Sequence, residues 1–335
     1  MYRTKDLLAT DNATLDEAQS LCQRMSASSD CVEVMTRRLK VLVTSIRATM
    51  QKRGLIDRKD HVRADVCLQR ATDDAWVLAA NAQHASNYSQ GGQDGVLRYI
   101  FRHIGVTNKH FVEFGFNSYT YEGGTGSNTY NLYKHDGWRG LLLDGHYENA
   151  SINLHKEWIT PMNIVSLFRK YAVPLIPDFV SIDVDSTDLW LMKAILTEYS
   201  PRVLSVEYNS NYPLGYAVTC DTRCQWTPGS RVFGAAYSAL RLVGLEFNYS
   251  VVAVVIPFDV VFVRNDLLVG ADIPEFTNDD IYLETHHATG STSIKEYAEE
   301  HLLDYSPFVE THEDQAKQAV IKLLAELQLK GIRIY

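Results

Sequence analysis

The sequence predicts an α/β protein built on a Rossmann-like, mostly parallel open sheet whose last strand is antiparallel, with a helical extension before it and a helical tail after it. Three observations predict this. From Phe111 to Gly145 a strand, a glycine-bearing loop, a short helix and a second strand follow one another. Apolar runs of strand length end on carboxylates, at Glu113, Asp144, Asp183 and Glu207. Segments of helical periodicity separate those runs, and strands joined through helices lie parallel in one sheet. A parallel sheet brings the ends of such strands to one rim, where open α/β sheets bind ligands.

Residues 1–85 carry a helical stripe, with Leu15, Ala18, Leu21, Cys22 and Met25 on one face, and read as a cap or an arm through which the chain forms a homo-oligomer. A polar loop then leads into Val96, Leu97, Ile100, Phe101 and Ile104, one face of a helix ended by Gly105, with Gln93 and Asp94 at its start. The first strand reaches Glu113, the loop carries Gly115, Gly123, Gly124 and Gly126, and a helix from Asn128 to Lys134 stops at Gly137. Trp138 to Leu143 form the second strand, which ends on Asp144. Asn149 to Trp158 read as a helix and Trp158-Ile159 as a short third strand, after which Thr160-Pro161 open a helix through Phe168.

Phe179 to Asp185 form a buried-type strand, Asp188 to Leu196 the helix behind it, and Val203 to Asn209 the next strand. Phe233 to Leu242 form a helix ended by Gly244. Tyr249–Ile256 and Asp259–Val263 are joined only by Pro257-Phe258, too short for a crossover, so they pair antiparallel. The tail carries His286, His287, His301 and His312 among acids, and ends in a helix from Gln315 to Leu329. The expected divisions are 1–85, 86–270 and 271–335.

With 335 residues, 46% of them hydrophobic, the chain buries a full core. A net charge of −9 provides no electrostatic footprint for a phosphate backbone, so nucleic acid is not an expected partner. No run reaches the ~20 apolar residues of a spanning helix. A cytoplasmic location without a membrane span is therefore expected; a lumenal or secretory one applies if the chain is a piece of a longer precursor, where the sequons at Asn12, Asn87, Asn149 and Asn248 would matter. Cysteines are too sparse for a disulfide framework, and the close pair Cys220 and Cys224 is either two thiols or a local disulfide.

A GxxxxGK[ST] loop and a GxGxxG fingerprint are both missing, which weakens triphosphate and dinucleotide readings and leaves a nicotinamide oxidoreductase as a rival. An acid two residues before a glycine suits a ligand that carries a cation, such as S-adenosylmethionine. The runs Tyr88–Gly95, Phe111–Gly115, Ser127–Thr129, Gly137–Gly145, Ser181–Asp185 and Glu207–Asn209 together resemble the FkbM-like branch of class I S-adenosylmethionine-dependent methyltransferases, over about Tyr88 to Leu268. The resemblance implies O-methylation of a hydroxyl on a small molecule or glycan. It places Glu113 at the amino-acid part of the cofactor and Asp144 at its ribose, with Gly115, Asn117, Asn128, Gly145, Asp183 and Asp94 completing the cofactor set, where Asp94 serves equally well as a simple helix cap. The acid that many such enzymes use for the adenine is missing, with Met162 or Asn163 as stand-ins.

Asp183, Asp185, Glu207 and Asn209 remain for the reacting half. So many carboxylates on one rim need a cation, protonation or arginine. Asp183 or Asp185 as general base oriented by Glu207, Asp183, Asp185 and Glu207 as ligands of Mg²⁺ or another divalent cation, and a structural role all fit the pattern. Tyr208, Tyr212, Tyr216 and Trp226 flank or line the following loop, as acceptor-stacking groups or as a lid. Ser186, where the family has glycine, keeps open a catalytically inactive binding or trafficking module.

Overall fold

A computed structural model describes residues 76–226, 231–283, 294–305 and 317–323. The helices expected within residues 1–75, together with His286, His287 and His312, lie outside the described residues, and of the helix expected from Gln315 only residues 317–323 are described, as helix. The strands are β1 (His110–Phe114), β2 (Arg139–Asp144), β3 (Leu154–Lys156), β4 (Phe179–Ile182), β5 (Val203–Glu207), β6 (Val218–Cys220), β7 (Tyr249–Val255), β8 (Asp259–Arg264) and β9 (Leu302–Asp304). The helices are α1 (Trp76–Ala80), α2 (Gln93–Ile104), α3 (Tyr130–His135), α4 (Ile164–Lys170), α5 (Asp188–Leu196), α6 (Tyr237–Glu246), α7 (Asn278–Ile281) and α8 (Ile294–His301).

Seven strands form one sheet in the order β3-β2-β1-β4-β5-β8-β7, and β6 pairs with β9 separately. The strands from β3 to β5 are parallel; β8 is inserted antiparallel between β5 and β7. This is the Rossmann-like arrangement expected for a class I methyltransferase sheet. The chain runs outward from β1 to β3 and returns to β4 beside β1, so the topological switch point lies between β1 and β4.

Alternation decides the two faces, because successive strand residues point to opposite sides. Val112, Val180, Leu204 and Phe262 pack with Ile164, Met192 and Leu240 of α4, α5 and α6. Phe111, Phe179, Val203 and Val261 pack with Val77, Val96, Leu97 and Ile100 of α1 and α2. At the opposite end of the sheet from the rim, Asp178 accepts the backbone N–H groups of Thr107, Asn108 and Lys109 and pairs at 2.9 Å with Arg202. Burial alone pushes the Asp178 carboxyl up, but Arg202 and these donors hold it below the ordinary range. Among the described residues no helix is long and apolar enough to cross a membrane.

Several elements differ from expectation. The stretch expected as a helix from Asn149 to Trp158 is a 3₁₀ turn over Ala150–Ile152 followed by β3. Asn149 caps that turn through Ser151, Asn153 ends it in the left-handed region at φ 56°, and Leu154 then pairs with Leu142. The third strand therefore precedes Trp158 instead of containing it. Thr160 does not cap the next helix: its N–H is bound by the Asn163 side chain at 2.8 Å, and α4 starts at Ile164.

Helix α6 starts later than Phe233, because the backbone up to Ala236 still bonds to β6, and it runs past Gly244. A Cβ on Gly244 would lie 2.7 Å from Cε1 of Phe262, so this glycine lets helix and sheet approach. Gly244→Val is expected to cost roughly 1–3 kcal/mol through overpacking, read by chemical denaturation with helix content unchanged. An unaltered midpoint would mean that α6 has room to move off β8.

Candidate functional site

At the switch point a cavity opens among Glu113, Gly115, Gly126, Asn128, Asp183 and Asp259. Gly115 follows β1 at φ 78°, and a Cβ there would lie 1.7 Å from the backbone oxygen of Asp183. Only glycine allows the ends of β1 and β4 to come this close.

Glu113 is buried at the end of β1. It accepts hydrogen bonds from the Ser127 hydroxyl at 2.7 Å, the Asn128 N–H at 2.7 Å and the Thr129 hydroxyl. Burial pushes its carboxyl up, opposed by these donors. Both oxygens thus hold the loop that enters α3. Asn128 donates to Ser181 Oγ at 3.0 Å and to Asp259 Oδ2 at 3.2 Å, which places its amide in the cavity wall.

Asp144 stands at the end of β2 and accepts from the N–H groups of Asn117, His146 and Tyr147 at 2.8, 2.6 and 3.2 Å. Asn117, at φ 47°, closes the glycine loop by bonding Thr125 through both ends of its amide. Gly145 lies under the Trp158 ring, with a Cβ position 3.2 Å from it, and Trp158 is 68% exposed. Met162 is exposed, whereas the Asn163 amide is occupied by Thr160 and Trp158.

Asp94 does not line the cavity. Its Oδ2 accepts the N–H groups of Asn87, Tyr88 and Ser89, and its Oδ1 is buried without a hydrogen-bond partner. It therefore shapes the loop before α2, and its neighbour Gln93 is the residue that reaches the cavity. Gln93 lines the cavity and donates to Asp259 at 2.5 Å while accepting from Gly91 N–H. Asp259, absent from the sequence-derived set, sits opposite Glu207 in the β5–β8 register. The β7–β8 hairpin pairs Asp259 with Val255, and only the placement of β8 between β5 and β7 brings it beside Glu207.

Asp183, in the cavity wall, and the neighbouring Asp185 and Glu207 are half-buried and each offer an oxygen within 4.8 Å of the others. Asp188, at the start of α5, accepts the N–H groups of Val184 and Ser186 and curls this segment, leaving Asp185 at φ 61°. Glu207 Oε2 is buried with no hydrogen-bond partner. Burial pushes the Asp183 carboxyl well above the usual range, and Asp185, Asp259, Asp188 and Glu113 push it the same way. Glu207 is pushed well up by burial and then by Asp183 and Asp185. Burial also raises Asp185, and raises Asp188 to about 7.

Asn209 does not share in this chemistry. Its Nδ2 donates to the carbonyls of Arg231 and Phe233, and its Oδ1 accepts from the backbone and side chain of Asn211. It clamps the wall that follows β5. Tyr208 and Tyr212 are likewise buried, with the Tyr208 hydroxyl bound to Ile281 O, so neither presents a face to an acceptor. Trp226, 36% exposed, and the partly buried Tyr216 remain nearer the surface.

The chain matches no family model and no curated protein. Solved structures similar to it include the N-terminal domain of EvdMO1 in the presence of SAH and D-fucose, 14% identical, covering 62% of this chain and 97% of that one with a TM-score of 0.32. The same domain with SAH bound is 15% identical, with the same coverage and TM-score. A likeness at that level carries no functional assignment.

Proposed function

We propose that this chain is an S-adenosylmethionine-dependent O-methyltransferase acting on a hydroxyl of a small molecule or glycan. One observation carries the reading: Asp183 both lines the switch-point cavity and belongs to the carboxylate trio beside it. A ligand site and a proton-accepting site thereby share a wall.

The cavity fits the cofactor by its chemistry. Glu113, Asp183 and Asp259 line it together with backbone at Gly115 and Gly126, which suits a ligand bearing an ammonium and a sulfonium. S-adenosylmethionine supplies, when bound, a methyl group on that sulfonium. Asp183 offers a carboxylate for a cationic group beside Glu113, three of whose acceptor positions are held by Ser127, Asn128 and Thr129. A carboxylate has about four acceptor positions, so Asp144 keeps one for a hydroxyl after its contacts with Asn117, His146 and Tyr147.

Methyl transfer asks mainly for in-line positioning and removal of the acceptor proton. Glu207 and Asp185 are placed for the second task, since a carboxylate raised above its ordinary range is a stronger base than an ordinary one. The orphaned Glu207 Oε2 also fits a hard divalent cation, which takes oxygen ligands. Asp183, Asp185 and Glu207 would hold it, and it would acidify the acceptor hydroxyl.

Titration with S-adenosylmethionine, S-adenosylhomocysteine and NAD tests the reading. Either of the first two, at ~100 times its dissociation constant, is expected to add roughly 2.7 kcal/mol of stability. No response to either would sink the proposal, and a response to NAD alone would favour a nicotinamide oxidoreductase. Binding without methyl transfer to a panel of hydroxyl acceptors would favour a catalytically inactive binding module. Activity that survives a chelator would remove the cation from the mechanism and leave the general base.

A further inference from the structure

The edge of the sheet opposite the acid rim carries an apolar tip. Leu175 and Ile176, in the loop between α4 and β4, are 65% and 47% exposed, and Val106, in the loop between α2 and β1, is 41% exposed. These side chains are held out in water by their own backbone. Pro174 and Pro177 bracket the Leu175-Ile176 pair and restrict the chain on both sides of it. Three successive carbonyls are then bound: Leu175 O by Ser200 N–H at 2.8 Å, Ile176 O by Asn108 Nδ2 at 2.8 Å, and Pro177 O by Arg202 N–H at 3.0 Å. Asp178, on the N–H groups of Thr107, Asn108 and Lys109, fastens the two loops together.

Basic groups border the tip. Arg102 in the last turn of α2, Lys109 before β1 and Arg139 at the start of β2 are exposed, and none of them is ion-paired among the described residues. Their elements adjoin: Phe101 packs edge-on against Trp138 at 4.7 Å, Arg139 N–H donates to Lys109 O at 3.1 Å, and Lys109 Nζ donates to Asp136 O at 2.9 Å. Glu198 and Asp266 are taken up by Arg169 and Arg264, and the exposed Asp136 offsets only part of the positive charge. We propose that this edge docks the chain on an anionic bilayer surface, with Leu175, Ile176 and Val106 entering the interface and Arg102, Lys109 and Arg139 meeting the headgroups.

An exposed apolar patch with a polar border marks a protein or a membrane contact, and here charge decides between them. The chain as a whole carries −9, so unpaired basic groups gathered at the apolar tip run against its overall balance and fit an anionic partner. A second copy related by a two-fold axis would bring the same basic groups face to face. A bilayer supplies both halves of the contact, since aliphatic side chains gain from the acyl boundary while juxtaposed lysine and arginine gain from anionic headgroups. Among the described residues no helix crosses a membrane, so the contact is one of surface docking. It leaves the acid rim at the far end of the sheet, turned toward water. The inference does not rest on methyl transfer.

Co-sedimentation of the full chain with vesicles tests the assignment. The chain is expected to pellet at low salt with vesicles of phosphatidylcholine and phosphatidylserine in equal parts, to leave them as salt rises, and to stay in solution with phosphatidylcholine alone. Leu175→Asn combined with Ile176→Asn is expected to weaken partitioning roughly tenfold or more. Arg102→Gln, which removes one charge and no internal contact, is expected to weaken it about fivefold and carries the test by itself if the double variant unfolds. Met162→Ser, at an exposed apolar position beyond β3 on the rim side, is expected to change nothing. No pelleting with the anionic vesicles at low salt would overturn the proposal, as would equal pelleting of wild type and both variants or an equal loss in Met162→Ser. A concentration-dependent dimer that the double variant abolishes, without pelleting, would overturn it in favour of a second copy.

Discussion

Gly115→Val is expected to abolish the response to S-adenosylhomocysteine and to destabilise the chain by roughly 3 kcal/mol or more, the sum of a strained backbone and an overpacked contact. The contact is with a backbone oxygen, 1.7 Å from the new Cβ, so no side-chain rotation relieves it. Either β1 and β4 separate at the cavity or Gly115 leaves its φ of 78°. Gly137→Val is the matching control. Its φ is 71°, yet nothing lies within 4 Å of its Cβ position, so it carries the backbone cost of about 1–2 kcal/mol without the clash. Denaturation midpoints and calorimetric titration on both variants read the difference. Retained binding in Gly115→Val would move the ligand site away from the switch point.

Raising the pH from about 6 to about 8 is expected to lower the melting temperature of cation-free protein by several degrees, through the acid cluster. Asp183, Asp185, Asp188 and Glu207 all have folded-state values raised by burial. In the unfolded chain they release their protons near the ordinary carboxylate values of about 4. The folded state therefore binds more protons in between. Its added stability is full below the unfolded values and is lost as pH rises through the folded ones, with Asp188 at about 7 marking the window.

Asp183→Asn and Glu207→Gln are each expected to flatten this slope and to stabilise the chain at pH ~8 while abolishing methyl transfer, because each removes a like charge from the trio. Added Mg²⁺ should restore wild-type stability at the higher pH and have little effect on either variant if the trio holds a cation. Asp178 acts in the opposite direction. Its depressed value contributes stability that is lost only as pH falls through the acid range, so the two effects separate on a pH scan. A melting temperature that stays flat or rises between about 6 and 8 would contradict the raised values of these acids.

The sheet was legible in the sequence because its signals are local. Apolar runs that end on acids, helices between them and a link as short as Pro257-Phe258 define parallel strands and one reversed hairpin before any contact is known. The same locality explains the errors at β3 and α4. Asn149, Asn153 and Asn163 turn the backbone through their own side chains, and a periodicity of apolar residues does not register such turns.

The candidate site was only half legible. That Glu113, Asp144, Asp183 and Glu207 reach one rim follows from strand order. What each carboxylate faces does not, since the partner comes from whatever loop packs there. Asp94 and Asp144 are bound to backbone N–H groups of loops, and Asn209 holds the wall at Arg231 and Phe233. Asp259 joins the cavity across a separation in sequence that ends at Asn128 and Gln93. The sequence by itself determined the order of strands and the rim on which acids collect, because alternation and connection length act along the chain. Tertiary structure alone decided which of those acids stay unpaired, because a buried carboxylate takes the nearest donor in space, and Glu207 Oε2 has none.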